Sequence, residues 1–195
     1  MKKIPNGQMT VYCGPMFAKK TTALIAEVQV IQDNFDDPKI SVFKPSIDNR
    51  YDLTDIKTHD GHSLQKLTGL TVQPVPVDFD FTKVESNFII IDEIQFFKEN
   101  SFKSIMKILE RECDVVVAGL DLDSNGEPFG IMPKILCYSN YIEKLSSICS
   151  CCNEEATRTF RKVKAKETVL VGGTDLYEPR CLKHWSEGME ELQNS

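Results

Sequence analysis

GPMFAKKTT, residues Gly14 to Thr22, follows a short apolar run, Met9 to Cys13, and leads into a helical pattern. The stretch is close to G-x-x-x-x-G-K-[ST], a loop between a strand and a helix whose backbone N–H groups bind phosphate. Lys20 is then expected to reach the terminal phosphates of a nucleotide, and Thr21 to supply a hydroxyl to Mg²⁺. Lys19 stands where the motif has its second glycine, which normally lets the backbone run very close to phosphate. The motif alone leaves two interpretations open: a nucleotide site, or a helix start with two solvated lysines.

A second set of candidate residues follows a buried strand. The run Phe88 to Ile91 is continuously apolar, and Asp92 and Glu93 come directly after it. A Walker B position has this form, with Asp92 holding Mg²⁺ and Glu93 available as a general base. An ordinary acidic strand end looks the same, but a phosphate-loop pattern upstream on a parallel strand favours the functional interpretation.

Short apolar runs alternate with helical patterns over most of the chain. Strands are predicted at residues 11–13, 39–43, 88–91 and 114–120, and helices at 23–31 and 102–109. The run Val72 to Val77 contains Pro74 and Pro76, so we expect an edge strand or an extended loop there. Strands buried on both faces, with helices between them, predict an α/β fold of the P-loop NTPase type with a mainly parallel sheet. The polar stretch Asn49 to Leu67 is predicted to be a loop or a mobile segment.

The pattern changes near Ser146, where cysteines and charged residues become frequent. Cys149-x-x-Cys152 is followed by Cys181-x-x-His184, a Cys₃His set that suits structural Zn²⁺ in tetrahedral coordination. Cys151 is a competing ligand, but the x-x spacing favours Cys149. We therefore predict two parts, a nucleotide-binding α/β domain at 1–145 and a zinc-binding subdomain at 146–195. Four protein ligands leave no open position, so this zinc is expected to be structural and not catalytic.

The remaining cysteines and histidines carry weaker signals. Cys13, Cys113 and Cys137 lie in apolar surroundings and are predicted to be small buried hydrophobic residues. His59 and His62 lie in the polar stretch, where a solvated loop is a simpler interpretation than a second metal site.

The bulk composition excludes several classes of protein. The chain has 195 residues and a formal net charge of −6, so its surface as a whole is not typical of a nucleic-acid or anionic-membrane binder. No apolar run is long enough to span a bilayer, and the N-terminal MKKIPNGQ lacks the apolar core of a signal peptide. We expect a cytoplasmic protein that binds neither membrane nor nucleic acid.

A series of short motifs runs through nearly the whole chain. In order they are Gly14-Pro15-Met16-Phe17 with Lys20-Thr21-Thr22; Lys44-Pro45 with Asp48-Asn49-Arg50-Tyr51; Thr58-His59-Asp60; Asp92-Glu93-Ile94-Gln95-Phe96-Phe97; Gly119-Leu120-Asp121 with Gly126-Glu127-Pro128-Phe129-Gly130; Cys149-x-x-Cys152 with Ala156 and Thr159-x-Arg161-Lys162; and Val171-Gly172-Gly173-x-Asp175-x-Tyr177 before Cys181. In this order and spacing the series resembles the type II, zinc-containing thymidine kinases.

The resemblance implies a fold and a reaction. It implies a P-loop α/β domain with a zinc-anchored C-terminal lasso that closes over the nucleoside, assembled as a homotetramer. The implied reaction transfers the γ-phosphoryl group of ATP, with Mg²⁺, to the 5′-hydroxyl of thymidine or a related deoxynucleoside such as deoxyuridine. Charge neutralisation and positioning are what such a transfer requires of a protein.

The resemblance also assigns roles to residues. By position, Glu93 matches the general base and Arg50 an arginine near the transferring phosphate. The residues matched to the ATP and Mg²⁺ site are Gly14, Lys19, Lys20, Thr21, Thr22 and Asp92. The residues matched to the nucleoside pocket and the lasso are Met16, Phe96, Phe129, Gly172, Gly173 and Tyr177.

Two departures from the family pattern fall on functional motifs. Lys19 replaces the loop glycine, and Ser124 and Asn125 replace an aromatic residue and an arginine in the loop that covers the nucleoside. Loss of that ring removes stacking worth about 1 kcal/mol or more. Two hypotheses follow: an active kinase with an altered loop and pocket, or a catalytically impaired, kinase-like protein that binds a nucleotide or a protein partner.

Overall fold

The computed structural model describes residues 5–47, 55–56, 61–163 and 172–194. Its centre is a six-stranded sheet in which every neighbouring pair of strands is parallel. The strands are β1 (Met9–Cys13), β2 (Ile40–Pro45), β3 (Val72–Val75), β4 (Phe88–Ile91), β5 (Asp114–Gly119) and β6 (Tyr141–Lys144), in the spatial order β3-β2-β4-β5-β1-β6. The predicted α/β fold with a parallel sheet is confirmed.

Helices cover both faces of this sheet. The helices are α1 (Lys20–Asn34), α2 (Leu64–Thr68), α3 (Glu99–Leu109), α4 (Met132–Tyr138) and α5 (Leu182–Asn194). Residues that alternate along the central strands contribute to two separate apolar clusters, one on each face, and all four residues of β4 are buried. Burial on both faces explains the continuous apolar runs from which these strands were predicted.

The two edges of the sheet differ in a way that the sequence partly predicted. Pro74 lies within β3, which forms one edge, as expected for a residue that cannot donate a ladder hydrogen bond. The other edge is β6, in which all four residues are exposed. An exposed strand has no apolar run, so β6 was not predicted.

Two predictions outside the sheet are wrong. The segment Asn49 to Leu67 is not entirely loop, because α2 begins at Leu64. Ser63 caps this helix by accepting a hydrogen bond from the Lys66 N–H, and Gly69 ends it with a left-handed φ of 74°. Cys137 is exposed, since α4 turns Ile135 inward and leaves the cysteine on its outer side.

The C-terminal part consists of two small antiparallel ladders and α5. The ladders pair β7 (Ser147–Ile148) with β8 (Glu155–Ala156), and β9 (Arg158–Arg161) with β10 (Tyr177–Arg180). Helix α5 lies against the second ladder at Gly188, where a Cβ would overlap Arg180 and Phe160. The Arg180 guanidinium stacks 3.6 Å from the Phe160 ring centre and donates a hydrogen bond to the His184 carbonyl. None of the helices in the described ranges is long and apolar enough to cross a lipid bilayer.

Candidate active site and metal centre

The loop between β1 and α1 brings its hydroxyl residue to the acid at the end of β4. The Thr21 hydroxyl donates to the Asp92 carboxylate over 3.3 Å, and Asp92 is buried. The Lys20 ammonium donates to the Pro15 carbonyl within the loop over 2.6 Å. Both strands end at the same edge of the parallel sheet, which is where ligands bind in such folds. Thr22 is exposed in the first turn of α1.

Lys19 keeps the backbone conformation that the missing glycine favours. Its φ of 60° and ψ of 26° are left-handed, and it is the N-cap residue of α1. Its carbonyl accepts the first helical hydrogen bond, from Ala23 N–H at 3.0 Å, while its side chain is exposed and makes no capping hydrogen bond. The loop therefore accommodates a lysine at the cost of backbone strain and without placing the side chain inside the fold.

Position 14, by contrast, has no room for a side chain and therefore requires glycine. Its φ is 139°, and a Cβ there would overlap the Leu145 carbonyl, because the chain leaving β6 runs against the loop. Two further bonds tie the loop to the region after β6. Met16 N–H donates to the Thr159 hydroxyl over 2.9 Å, and the Ser147 hydroxyl donates to the Phe17 carbonyl over 3.2 Å.

Glu93 lies in a constrained turn directly after Asp92. Its φ is 54°, and its N–H donates to the Asp92 carboxylate over 2.9 Å. The Gln95 amide donates to the Glu93 carboxylate over 2.5 Å, while its own oxygen accepts a hydrogen bond from Leu120 N–H. Gln95 is buried and therefore holds the acid in one orientation. No role was predicted for Gln95, since its bond to Leu120 joins segments that are far apart in the chain.

The candidate nucleoside residues lie beside this turn. Phe96 and Phe129 pack edge to face, with ring centres 5.5 Å apart. Gly130 follows with a φ of 54°, and a Cβ there would overlap the Gln95 carbonyl. The turn that carries Glu93 and the loop that carries Phe129 are thus packed against each other at the backbone.

An ion pair lies at the start of that loop. The Asp121 carboxylate is buried and lies 2.7 Å from the exposed Lys144 ammonium at the end of β6. Burial raises the pKa of the neighbouring Cys13 thiol to about 11, and the Asp121 charge adds to this effect. Cys13 therefore stays a neutral thiol at physiological pH, in agreement with its predicted role as a small buried residue.

Gly172, Gly173 and Tyr177, which the resemblance matches to the lasso, lie in the described part of the chain. Gly173 accepts hydrogen bonds at its carbonyl from the N–H groups of Leu176 and Tyr177, and Tyr177 is buried in β10. Gly172 lies against the Leu176 side chain. Neither Gly172 nor Gly173 lies in a strand. Arg50 and His59 also lie outside the described residues.

Three cysteines and a histidine form a compact cluster, as the spacing predicted. The members are Cys149, Cys152, Cys181 and His184, with ligand atoms within 4.8 Å of one another. The Cys152 and Cys181 sulfurs are 3.9 Å apart, and the Cys149 sulfur is 3.7 Å from His184 Nδ1. Tetrahedral Zn²⁺ would place such atoms about 3.6–3.8 Å apart. The donor set and its dimensions therefore fit zinc.

The chemistry of the cluster also suits a metal. Burial raises the pKa of the Cys149 thiol, but N–H groups of Cys181, Cys151 and Cys152 outweigh it and lower the pKa to about 6. A thiolate, the form that binds metal, is then favoured at neutral pH. Cys151 is exposed and is not a member of the cluster, as its position in the motif predicted.

Comparison with known proteins identifies the family. The family model for thymidine kinase matches residues 7–185, nearly the whole chain. The chain belongs to the thymidine kinase family. Among solved structures, the flagellar accessory protein FlaH from Methanocaldococcus jannaschii is similar with a TM-score of 0.48 and 10% identity, over 78% of this chain and 76% of that one. No functional statement follows from a likeness of that size.

Proposed function

We propose that the protein is an ATP-dependent kinase that phosphorylates the 5′-hydroxyl of thymidine or deoxyuridine. Membership of the thymidine kinase family supports a deoxynucleoside kinase. One observation carries the proposal further: Thr21 of the phosphate loop contacts Asp92, and Glu93 follows Asp92 in an orientation that Gln95 holds. Two candidate Mg²⁺ ligands and a candidate base therefore share one edge of the sheet.

In the proposed reaction the chain positions two substrates and moves one proton. Lys20 exchanges the Pro15 carbonyl for a phosphate oxygen of ATP. Thr21 and Asp92 would hold Mg²⁺, which would neutralise phosphate charge. The 5′-oxygen forms a bond to the γ-phosphorus while the bond from that phosphorus to the bridging oxygen of ADP breaks. Glu93 accepts the proton of the 5′-hydroxyl.

The other site residues complete the proposal. Gly14, Lys19 and Thr22 belong to the phosphate loop, and Arg50 would act near the transferring phosphate. We assign the nucleoside pocket and lasso to Met16, Phe96, Phe129, Gly172, Gly173 and Tyr177. The edge-to-face pair of Phe96 and Phe129 supports this assignment, because it offers an apolar surface beside Glu93.

We also propose that Zn²⁺ at the Cys₃His cluster is structural, because four protein ligands leave no position for a substrate. The division into 1–145 and 146–195 is supported by the end of the main sheet at Lys144. The homotetramer and the cytoplasmic location are expectations from the family resemblance and the composition.

A second candidate function is a catalytically impaired protein that binds a nucleotide or a protein partner. The presence of Lys19, Ser124 and Asn125 at motif positions favours it. The left-handed Lys19 backbone counts against it, since the loop keeps the conformation that a glycine would adopt.

The test is ATP-dependent turnover of thymidine and deoxyuridine by the zinc-loaded protein, with Glu93→Gln as the inactive control. Turnover that is lost in Glu93→Gln supports the kinase. Absence of phosphorylation of any deoxynucleoside would reject it, and tight binding of thymidine triphosphate without turnover would favour the second candidate.

A further inference from the structure

The one tryptophan of the chain connects the metal centre to the loop that departs from the family pattern. The Trp185 indole N–H donates to the Ser124 carbonyl over 3.2 Å. The same ring covers Gly126, where an added Cβ would lie 2.9 Å from a ring carbon. A polar and an apolar contact thus reach the loop from a helix 61 residues away in the chain.

The contacted loop is a compact turn. The Asp123 carboxylate accepts hydrogen bonds from the N–H groups of Asn125 at 2.9 Å and Glu127 at 3.0 Å. A bridge between Leu122 and Pro128 closes the turn. Because these bonds are internal, we expect the turn to move as one unit, so a contact on its outer side fixes its position as a whole.

Trp185 is itself held by the metal cluster. It follows His184 directly in the first turn of α5, and its backbone N–H donates to the Cys181 carbonyl over 2.9 Å. Arg180 donates to the His184 carbonyl from the other side. Trp185 is therefore the chain neighbour of one candidate ligand, His184, and its backbone is hydrogen-bonded to another, Cys181.

The side chain at position 124 does not anchor the loop. Ser124 is buried, and its hydroxyl has no hydrogen-bond partner among the residues that the structure describes. The main chain of Ser124 makes the anchoring bond instead, to the Trp185 indole. The loop is thus attached from outside by an aromatic residue of α5.

We propose that Trp185 is a positioning residue that fixes the loop of residues 121–129 to the zinc subdomain and so transmits order at the metal centre to nucleoside binding. The inference rests on the proposed kinase function. The loop continues into Phe129, which packs on Phe96 beside Glu93. Loosening Trp185 should therefore affect nucleoside binding, whereas Lys20 and Thr21 of the ATP site lie at the start of α1.

The kinetic test compares Trp185→Ala and Trp185→Phe with the exposed Leu182→Ala control in the same helix turn, all zinc-loaded. Losing the ring and its hydrogen bond should raise the nucleoside KM about tenfold, and losing the N–H alone about threefold. The ATP KM, the zinc content and the Leu182→Ala kinetics should stay within about twofold. An unchanged nucleoside KM in Trp185→Ala, or an equal rise in both KM values, would overturn the proposal.

A second test needs no turnover, because Trp185 is the only source of tryptophan emission. Gly126→Ala perturbs the loop side of the contact and should shift that emission in the zinc-loaded protein. Gly69→Ala is the matched control, since its φ of 74° resembles the 81° of Gly126 but its surroundings are open. Emission that is the same in Gly126→Ala and the parent would refute the contact. If the parent protein has no kinase activity, but Gly126→Ala shifts the emission and Gly69→Ala does not, the kinase function is refuted and the contact is supported.

Discussion

Replacing Lys19 tests whether the phosphate loop is limited by its backbone or by its charge. Two variants separate these effects. Lys19→Gly removes both the side chain and the strain of the left-handed backbone, where φ is 60° and ψ is 26°. Lys19→Ala removes the charge but keeps the Cβ, and with it the strain. The lysine side chain is exposed and makes no capping hydrogen bond, so neither variant loses such a bond.

The expected magnitudes follow from the backbone. A left-handed conformation costs a residue with a Cβ about 1–2 kcal/mol. Glycine recovers this cost but loses about 0.4–1 kcal/mol through the greater freedom of its unfolded chain. Lys19→Gly should therefore raise the free energy of unfolding by between about 0 and 1.6 kcal/mol, which corresponds to at most about 6 °C in Tm for a chain of this size. Lys19→Ala should stay within about 0.5 kcal/mol of the parent.

The assay is urea denaturation of the zinc-loaded protein, together with the KM for ATP. An exposed cation near phosphate contributes about 0–1 kcal/mol, so both variants should keep the ATP KM within about fivefold of the parent. A Lys19→Gly variant that is less stable than the parent would refute the assignment of strain. A rise in the ATP KM well beyond fivefold in both variants would show that the ammonium binds phosphate directly.

Three further predictions concern the acid, the loop and the metal. Glu93→Gln should lower kcat by about 10²–10⁴-fold and leave the ATP KM nearly unchanged, since it removes the proton acceptor alone. The measurement is steady-state kinetics, and a kcat equal to that of the parent would exclude Glu93 as the base. Gly130→Ala should cost about 2 kcal/mol or more in urea denaturation, because its φ is 54° and the Cβ would overlap the Gln95 carbonyl; a loss as small as that of Gly69→Ala, which has open surroundings, would contradict the close packing. Cys152→Ser should reduce the zinc content well below about one ion per chain, whereas Cys151→Ser, at an exposed position outside the cluster, should retain zinc. The zinc content is measured by metal analysis, and an equal loss in both variants would disprove the assigned ligand set.

Much of the fold could be predicted because its signals are local. The run Phe88 to Ile91 coincides with β4, since a strand buried on both faces must be apolar at every position. The meeting of Thr21 with Asp92 follows from the rule that parallel strands end at one edge of the sheet. The x-x spacing distinguished Cys149 from Cys151, because two cysteines at that spacing can bind one tetrahedral ion.

The parts that were missed depend on contacts across long stretches of chain. The bond from Gln95 to Leu120 and that from Trp185 to Ser124 leave no periodic pattern in the sequence. Helix α2 was missed because Ser63 and its terminal glycine define it, and five residues are too few for periodicity. The left-handed backbone of Lys19 is indicated only by the motif glycine that it replaces, since a lysine itself gives no indication of positive φ.

The two departures from the family pattern are accommodated by the fold in the same way, through the main chain. At position 19 the backbone adopts the left-handed conformation, and the helix still begins with a bond to the Lys19 carbonyl. At position 124 the carbonyl is held by Trp185 although the side chain offers no ring. If the function had been lost before these substitutions arose, nothing would have constrained both loops to stay closely packed. The chain also keeps the Thr21–Asp92 contact and the Gln95 bond to the Glu93 carboxylate, and these contacts support the proposal of an active kinase with an altered pocket over an impaired binding protein.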